Sequence, residues 1–495
     1  MSKIIIQNGN MCELDLPLKF AQKLYNEFAI RHPNAFYLRT RQRGMQNWDG
    51  KIHYITKTGQ FKIGLLPKVY DMCIEMGIKP KVVDMRQPLP KVSKVVTKIG
   101  KYKLRPEQEK AVKAVINNTI GGKPFHIGVL DYTVNAGKTL IMSSLYLSYK
   151  KQLKTLLITN DSDWLNQARE EFKQYLPGED ITFVQGKVLN WSNFTIGMVQ
   201  SISRNMRFYQ KELSQIDMVL IDEADQGGSR QYQNVITRLF NTRIRIGLSG
   251  TIYMSKLAKD KVKNMNLECF FGKVLAEFKL RDSIKKGYST KTVVKMVPGK
   301  PWYGNWESDC ISYKEIYDDS ITNSYTAWLM AYSRLRWNIN QGRYPALVVC
   351  KHIAHCENLY KFFKKKLGDA YNIAYVHVNT KSKLRQQIMK DFRDGKIDIL
   401  VSTTIIARGK NFPKLRYLLN AASMDSQEKS IQFLGRLVRT DKSKKKVYLD
   451  DLHYPSNYLD RHGKHRKQYY QRQELKVILL DKLWKKHPNH SLIQS

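Results

Sequence analysis

Thr133-Val134-Asn135-Ala136-Gly137-Lys138-Thr139 lies between an apolar run, Ile127-Gly128-Val129-Leu130, and a helix-compatible segment, Leu140-Ile141-Met142-Ser143-Ser144-Leu145. A turn that follows a buried strand and opens a helix aims backbone N–H groups at phosphate oxygens, and the helix dipole assists. Asn135, Ala136 and Gly137 are expected to supply those amides. Lys138 is expected to reach the β- and γ-phosphates of ATP, and the Thr139 hydroxyl to ligate Mg2+. Tyr132 stands where the strict phosphate-loop pattern has its first glycine.

Around this loop, apolar runs at 127–130, 155–158, 194–198, 218–221 and 244–248 alternate with helical patterns. Strands in such βαβ succession predict a parallel sheet covered on both faces. A second series follows at 346–349, 373–377, 397–402, 417–420 and 446–449. The fold class is therefore α/β, with two tandem parallel-sheet lobes whose ligands bind beyond the carboxyl ends of the strands. The expected domains are an N-terminal α+β unit (1–88), lobe 1 (89–255), an interlobe or insertion region (256–344), lobe 2 (345–452) and a basic helical C-terminal extension (453–495). In the N-terminal unit, helices are expected around Phe20, Leu24 and Phe28 and around Val69 to Met76. Strands are expected at 4–6, 36–38, 51–55 and 61–65.

Asp222 and Glu223 follow Met218-Val219-Leu220-Ile221, 84 residues after Lys138. A strand of that kind delivers a carboxylate to the sheet edge, where Asp222 would hold Mg2+ through water. Glu223 is then placed to polarise the attacking water. Far downstream, Gln432, Arg436 and Arg439 share one helical face by spacing. Arginines presented from a second lobe neutralise charge on a transferring phosphoryl group, and Gln432 would reach the γ-phosphate or water. Hydrolysis would then require the lobes to close, which converts chemistry into motion.

The chain has 495 residues, too many for a single core, and 84 Lys and Arg against 43 Asp and Glu, a net charge of +41. That excess excludes an ordinary small-molecule enzyme and points to a polyanion, above all nucleic acid. The six cysteines show no disulfide-like spacing, which favours a reducing compartment. Cys350, His352, His355 and Cys356 cluster in sequence, but the run 346–350 reads as a buried strand rather than a zinc site. No apolar run is long enough to cross a bilayer, so no membrane partner is expected, and the chain is expected to be cytoplasmic.

With these residues assembled, the chain resembles the superfamily-two helicases over about residues 100–450. In that likeness, Arg105 and Gln108 lie in the adenine-reading segment. Thr159 to Gln167 and Val199-Gln200-Ser201 look like strand-contact motifs, and Ser249-Gly250-Thr251 like the element coupling hydrolysis to movement. Lys351-His352 and Ser402-Thr403-Thr404 through Gly409 resemble two later motifs, and the lobes are expected to be RecA-like. The resemblance extends to the phage branched-DNA helicases of the UvsW type, through Gly44-Met45-Gln46-Asn47-Trp48-Asp49-Gly50-Lys51-Ile52 and the order of domains. It departs from that type in an aromatic loop around Trp302, Tyr303 and Trp306, a candidate strand-separating wedge.

Nucleic acid is expected to meet Gln200, Ser201, Lys351, His352, Thr403 and Thr404 through its phosphates, which positions a strand without reading its sequence. Trp48 is either a core ring or a base-stacking ring. The tail residues Arg461, Lys464, Arg466, Lys467 and Arg472, with Tyr469 and Tyr470, form a basic and aromatic run suited to stacking. The implied function is an ATP- and Mg2+-dependent helicase or translocase. It would track single strands as a monomer on forked or junction DNA in replication, recombination and repair, inside an infected bacterial cell. An ATP-dependent RNA helicase remains the alternative, because contacts to the 2′-hydroxyl are not legible in sequence.

Overall fold

The computed structural model describes residues 2–41, 45–149, 152–186, 188–252, 258–299, 312–407, 412–441 and 444–480. The chain divides into two compact units, one ending at Phe278 and the other beginning at Lys279. Among the described residues, no helix is long and apolar enough to cross a membrane.

The first unit opens with a small sheet in the order Gln60–Lys62, Met11–Asp15, Lys3–Ile6, Lys81–Asp84. In Lys3–Ile6 only the alternate residues Ile4 and Ile6 are buried, the period-two pattern of a half-covered sheet. Helices Leu18–Glu27 and Leu66–Glu75 cover it, with Leu24, Val69 and Cys73 turned inward. Two expectations are corrected here. Residues 36–38 are not a strand but lie in the helix Ala35–Arg41, where the amide of Leu38 donates to the carbonyl of Asn34. So short an apolar run finds no partner strand, and local hydrogen bonds win. The run 61–65 leaves its strand at Lys62 and becomes a 3-10 turn, Ile63–Leu65.

The main sheet runs Val188–Leu189, Ile181–Gln185, Phe194–Met198, Thr155–Thr159, Met218–Asp222, Ile244–Ser249, His126–Tyr132, Val274–Phe278. All pairings are parallel except the one at the Val188–Leu189 edge. His126–Tyr132, Met218–Asp222 and Ile244–Ser249 are buried at every position, which is why their central residues read as largely apolar runs. Arg245 is a buried charge inside that layer. Its guanidinium donates to the carbonyls of Gly9 (2.6 Å) and Phe270 (3.1 Å) and to Asn10 Oδ1 (2.7 Å). This fully buried arginine, its pKa pushed down to about 9 by desolvation, ties the N-terminal module to the main sheet.

The second unit holds an all-parallel sheet in the order Ile373–Val376, Ile399–Thr403, Ala346–Cys350, Tyr417–Asn420, Lys446–His453, Lys291–Pro298, Val477–Leu479. Both sheets have the α/β build expected of RecA-like lobes. The region 256–344 is shared out between them. Val274–Phe278 joins the first sheet beside the phosphate-loop strand, and Lys291–Pro298 joins the second. The C-terminal part forms a helix, Asn457–Arg472. Residues 477–479, expected to belong to the helical C-terminal extension, instead form a strand paired with Lys291–Pro298, which supplies their hydrogen bonds. Cys350 is buried at the end of its strand, as the apolar run implied. Trp302, Tyr303 and Trp306 lie outside the described residues, as do Gly44 and Gly409.

Candidate nucleotide site and nucleic-acid contacts

Tyr132 ends the strand that feeds the phosphate loop. It is fully buried, its hydroxyl donates to the carbonyl of Glu107 (2.7 Å), and its ring packs near Phe278. The place of the first motif glycine is thus taken by a core residue, and the turn proper begins after it. Asn135 (φ +62°) and Gly137 (φ +72°) take left-handed backbone, after which Lys138–Ser148 continues as helix. Asparagine tolerates that region better than most residues. At Gly137 a Cβ would collide with Gln108 Nε2 as well.

Gln108 and Arg105 brace this loop. Gln108 Nε2 donates to the carbonyl of Ala136 (2.8 Å) while its Oε1 accepts from the amide of Arg105 (2.8 Å). Arg105 Nη2 donates to the carbonyl of Asn135 (3.1 Å). The segment expected to read adenine therefore holds two consecutive residues of the phosphate loop, Asn135 and Ala136, by their carbonyls.

Asp222 closes the strand Met218–Asp222, and its Oδ1 lies 3.7 Å from Lys138 Nζ. That oxygen is buried and accepts no hydrogen bond. Burial raises the Asp222 carboxyl above its usual range, opposed by the Lys138 charge. A buried carboxylate oxygen without a hydrogen bond, 3.7 Å from a lysine that opens a helix whose second residue is Thr139, fits a hydrated magnesium triphosphate. Asp222 and Thr139 would hold the ion, which supplies charge neutralisation at the phosphates when bound.

Glu223 sits at φ +53°, a strained position for a glutamate. Burial, with the neighbouring charges of Asp222 and Asp225, pushes its carboxyl up to about 8. Ser249 Oγ donates to Asp225 Oδ1 (2.7 Å) and accepts from the amide of Thr251 (3.0 Å). The expected coupling element is thus bonded directly to the acidic motif. On the same sheet edge, Gln200 Nε2 donates to the carbonyl of Asn160 (3.3 Å), and Ser201 Oγ accepts from the amide of Gly186 (2.9 Å).

In the second unit, Lys351 and His352 follow the strand Ala346–Cys350. The Lys351 ammonium lies 4.1 Å over the Tyr313 ring and 5.0 Å over Tyr317, a cage no sequence spacing announces. Burial and the nearby Lys429 charge lower its pKa, and burial does the same for His352. Thr403 ends the next strand, and Thr404 Oγ1 accepts from Lys429 Nζ (3.2 Å). Gln432 and Arg436 ride the helix Gln427–Leu437, one turn apart. Arg439 does not share that helix face. The helix ends at Leu437, and Thr290 captures the carbonyls of Val438 and Arg439, which turns the chain away.

The C-terminal basic run is corrected most. Arg466 is fully buried, making paired bonds to Asp451 at 2.8 and 2.9 Å, and Tyr470 donates to the same carboxylate (2.7 Å). Tyr469 is also buried and donates to Asp425 (3.3 Å). Neither ring is open for stacking. Of the basic residues in this run, Arg461 and Lys464 are exposed, Lys464 pairing with Asp460, and Lys467 is half-buried. Trp48 is half-buried, its indole N–H given to the carbonyl of Lys51 (2.9 Å) and its ring edge-on to His32.

Comparison with known proteins agrees with this layout. Residues 101–254 match the family described as type III restriction enzyme, res subunit, and residues 331–441 match the helicase conserved C-terminal domain. The chain is 23% identical over 385 residues to putative helicase 22 of Sulfolobus islandicus filamentous virus (isolate Iceland/Hveragerdi), covering 71% of this chain and 64% of that protein. It is 23% identical over 231 residues to the ATP-dependent RNA helicase CHR1 of Candida albicans, 46% of this chain and 33% of that one. The chain thus spans less than two thirds of the length of these curated relatives. Among solved structures, a putative HsdR subunit fragment of a type I restriction enzyme from Vibrio vulnificus aligns with TM-score 0.57 at 14% identity, over 87% of this chain and 78% of that one. T4 UvsW aligns with TM-score 0.44 at 18% identity, over 97% of this chain and 100% of that one. With both helicase domains in tandem on two parallel sheets, and the acidic and phosphate-loop motifs at the strand ends of the first, this chain belongs to the superfamily-two helicases, a family of ATP-hydrolysing enzymes.

Proposed function

We propose that this chain is an ATP- and Mg2+-dependent DNA helicase or translocase that unwinds or branch-migrates branched intermediates in replication, recombination and repair. The observation that carries the motor reading is the apposition of Lys138 and Asp222, 3.7 Å apart at the ends of a loop and a buried strand, with Glu223 adjacent. Lys138 and the loop amides bind and orient the triphosphate. Glu223 takes the proton of the water that attacks the γ-phosphorus, and Arg436, with Arg439, supplies positive charge as the bond to the leaving phosphate breaks. Gln200, Ser201, Lys351, His352, Thr403 and Thr404 hold a single strand by its phosphates, and Trp48 with its basic neighbours engages DNA in the N-terminal module.

A net charge of +41 supports a polyanionic track, and the helicase of a filamentous virus among its relatives supports a viral setting within an infected cell. The protein would act as a monomer. An RNA substrate is the second reading, favoured by the likeness to an RNA helicase over 46% of the chain. ATP turnover measured against forked DNA, a four-way junction, single-stranded DNA and duplex RNA decides between them. Stimulation by RNA alone would refute the DNA assignment, and no turnover on any track would refute the motor.

A further inference from the structure

Beyond its polar bonds to the phosphate loop, the first unit contains a chain of amides that links the expected strand contact to the expected catalytic base. Gln200 Nε2 donates to the backbone carbonyl of Asn160 (3.3 Å). Asn160 Nδ2 donates to Gln226 Oε1, and Gln226 Nε2 donates to Glu223 Oε2 (3.2 Å). The residues come from four separate places: Asn160 just past the strand Thr155–Thr159, Gln200 in the helix Val199–Arg204, Glu223 after Met218–Asp222, and Gln226 in the turn Ala224–Gln226. Only the parallel neighbours in the sheet bring them together.

Two features make this chain more than packing. The side-chain oxygens of Gln200 and Asn160 are buried and accept no hydrogen bond, so both amides sit in an under-satisfied arrangement that a better partner can displace. And the chain ends on an oxygen of the very carboxylate that must accept a proton. An amide hydrogen bond to that oxygen holds the carboxylate in one rotamer.

We propose that Asn160 and Gln226 are positioning residues that restrain Glu223 until a nucleic-acid phosphate takes the amide of Gln200. Withdrawal of Gln200 removes the donor that fixes the Asn160 backbone. Asn160 then loses its hold on Gln226, and Glu223 is released to face the attacking water. ATP hydrolysis becomes dependent on the track through three hydrogen bonds inside one unit. The inference rests on the reading of Glu223 as the base and Gln200 as a strand contact.

The test uses the full-length chain and a deoxythymidylate oligonucleotide as the track. Gln226→Met keeps the volume and removes the bond, and Asn160→Ala cuts the preceding link. Steady-state ATP turnover is measured with and without saturating oligonucleotide, and thermal melting confirms that each variant is folded. Loss of a single hydrogen bond to a carboxylate is expected to raise unstimulated turnover about fivefold to tenfold in either variant. Stimulated turnover and the KM for ATP stay within about twofold of the parent. Because both substitutions break one relay, the double variant should gain no more than either alone, a non-additivity that simple loosening of the fold would not produce. Unstimulated turnover that is unchanged or lower, or gains that add, overturns the relay. Glu223→Gln separates the two levels: if it abolishes turnover while Gln226→Met changes nothing, the base assignment stands and the relay falls. If Glu223→Gln still hydrolyses ATP, the base assignment itself is wrong.

Discussion

Arg466 offers a direct choice between two roles for the C-terminal helix, nucleic-acid contact or internal strut. The pair it forms with Asp451 is wholly removed from water, both side chains at 0% exposure, and Asp451 also accepts from Asn420 (2.9 Å) and Tyr470 (2.7 Å). In Arg466→Met the carboxylate keeps those two bonds and loses its only described counter-charge. Removing one partner of a buried pair costs about 3–5 kcal/mol, because the remaining charge stays desolvated. For a unit of this size that lowers the melting temperature by about 10 °C. The double variant Arg466→Met/Asp451→Leu should recover most of the loss, since neither charge is then stranded. The assay is thermal and urea unfolding of the four corners of the cycle, together with nucleic-acid affinity across a salt series. A phosphate-contacting arginine contributes about one unit to the slope of log affinity against log salt. A buried one contributes nothing, so the slope should be unchanged in Arg466→Met wherever the variant is folded. A melting temperature within about 2 °C of the parent, with a slope reduced by one, would refute the internal role.

The remaining predictions concern the nucleotide site and the acid stability of the second unit. Lys138→Ala should abolish track-stimulated ATP hydrolysis while leaving DNA binding largely intact in a filter or anisotropy assay; unchanged turnover would refute the site. Arg436→Ala should lose hydrolysis yet keep nucleotide affinity to first order, checked by titrating a fluorescent nucleotide, and normal turnover would discard the arginine assignment. His355, held down to about 3 by full burial and the nearby His352, and His462, held down to about 4 by burial, are neutral in the fold. Their folded pKa values lie below the unfolded value near 6.5, so the unfolded chain binds the extra protons. Stability should then be flat above about pH 7 and fall as pH drops toward 4, by about 1.4 kcal/mol per pH unit for each histidine. Urea midpoints of the second unit measured from pH 8 to 4.5 check this, and a His355→Phe variant should flatten the decline.

The buried strands were legible in the chain because parallel strands covered on both faces must be apolar at nearly every position, as in residues 218–221, 346–349 and 417–420. A polar residue directly after such a run has to emerge at the sheet edge. The phosphate loop and Asp222 are therefore placed at strand ends by pattern, whereas Ser249 and Thr403, which also end strands, are singled out by the resemblance to superfamily-two helicases. What failed was local periodicity without its partners: residues 36–38 as strand, 477–479 as helix, and Arg439 on the face of Arg436.

Only tertiary structure decided which charges are solvated. Arg245 lies within an apolar run and Arg466 reads as part of a nucleic-acid-binding run, yet both are fully buried, one on backbone carbonyls and the Asn10 side chain and one on the Asp451 carboxylate. Tyr470 was offered to bases and is spent on Asp451. The amides of Asn160, Gln200 and Gln226 lie in separate segments and carry no spacing signal. Apolar burial is a property of each residue's own side chain and so shows in a one-dimensional string. The neutralisation of a polar group depends on which distant partner the fold brings within hydrogen-bonding reach, and that is known only once the sheets are assembled.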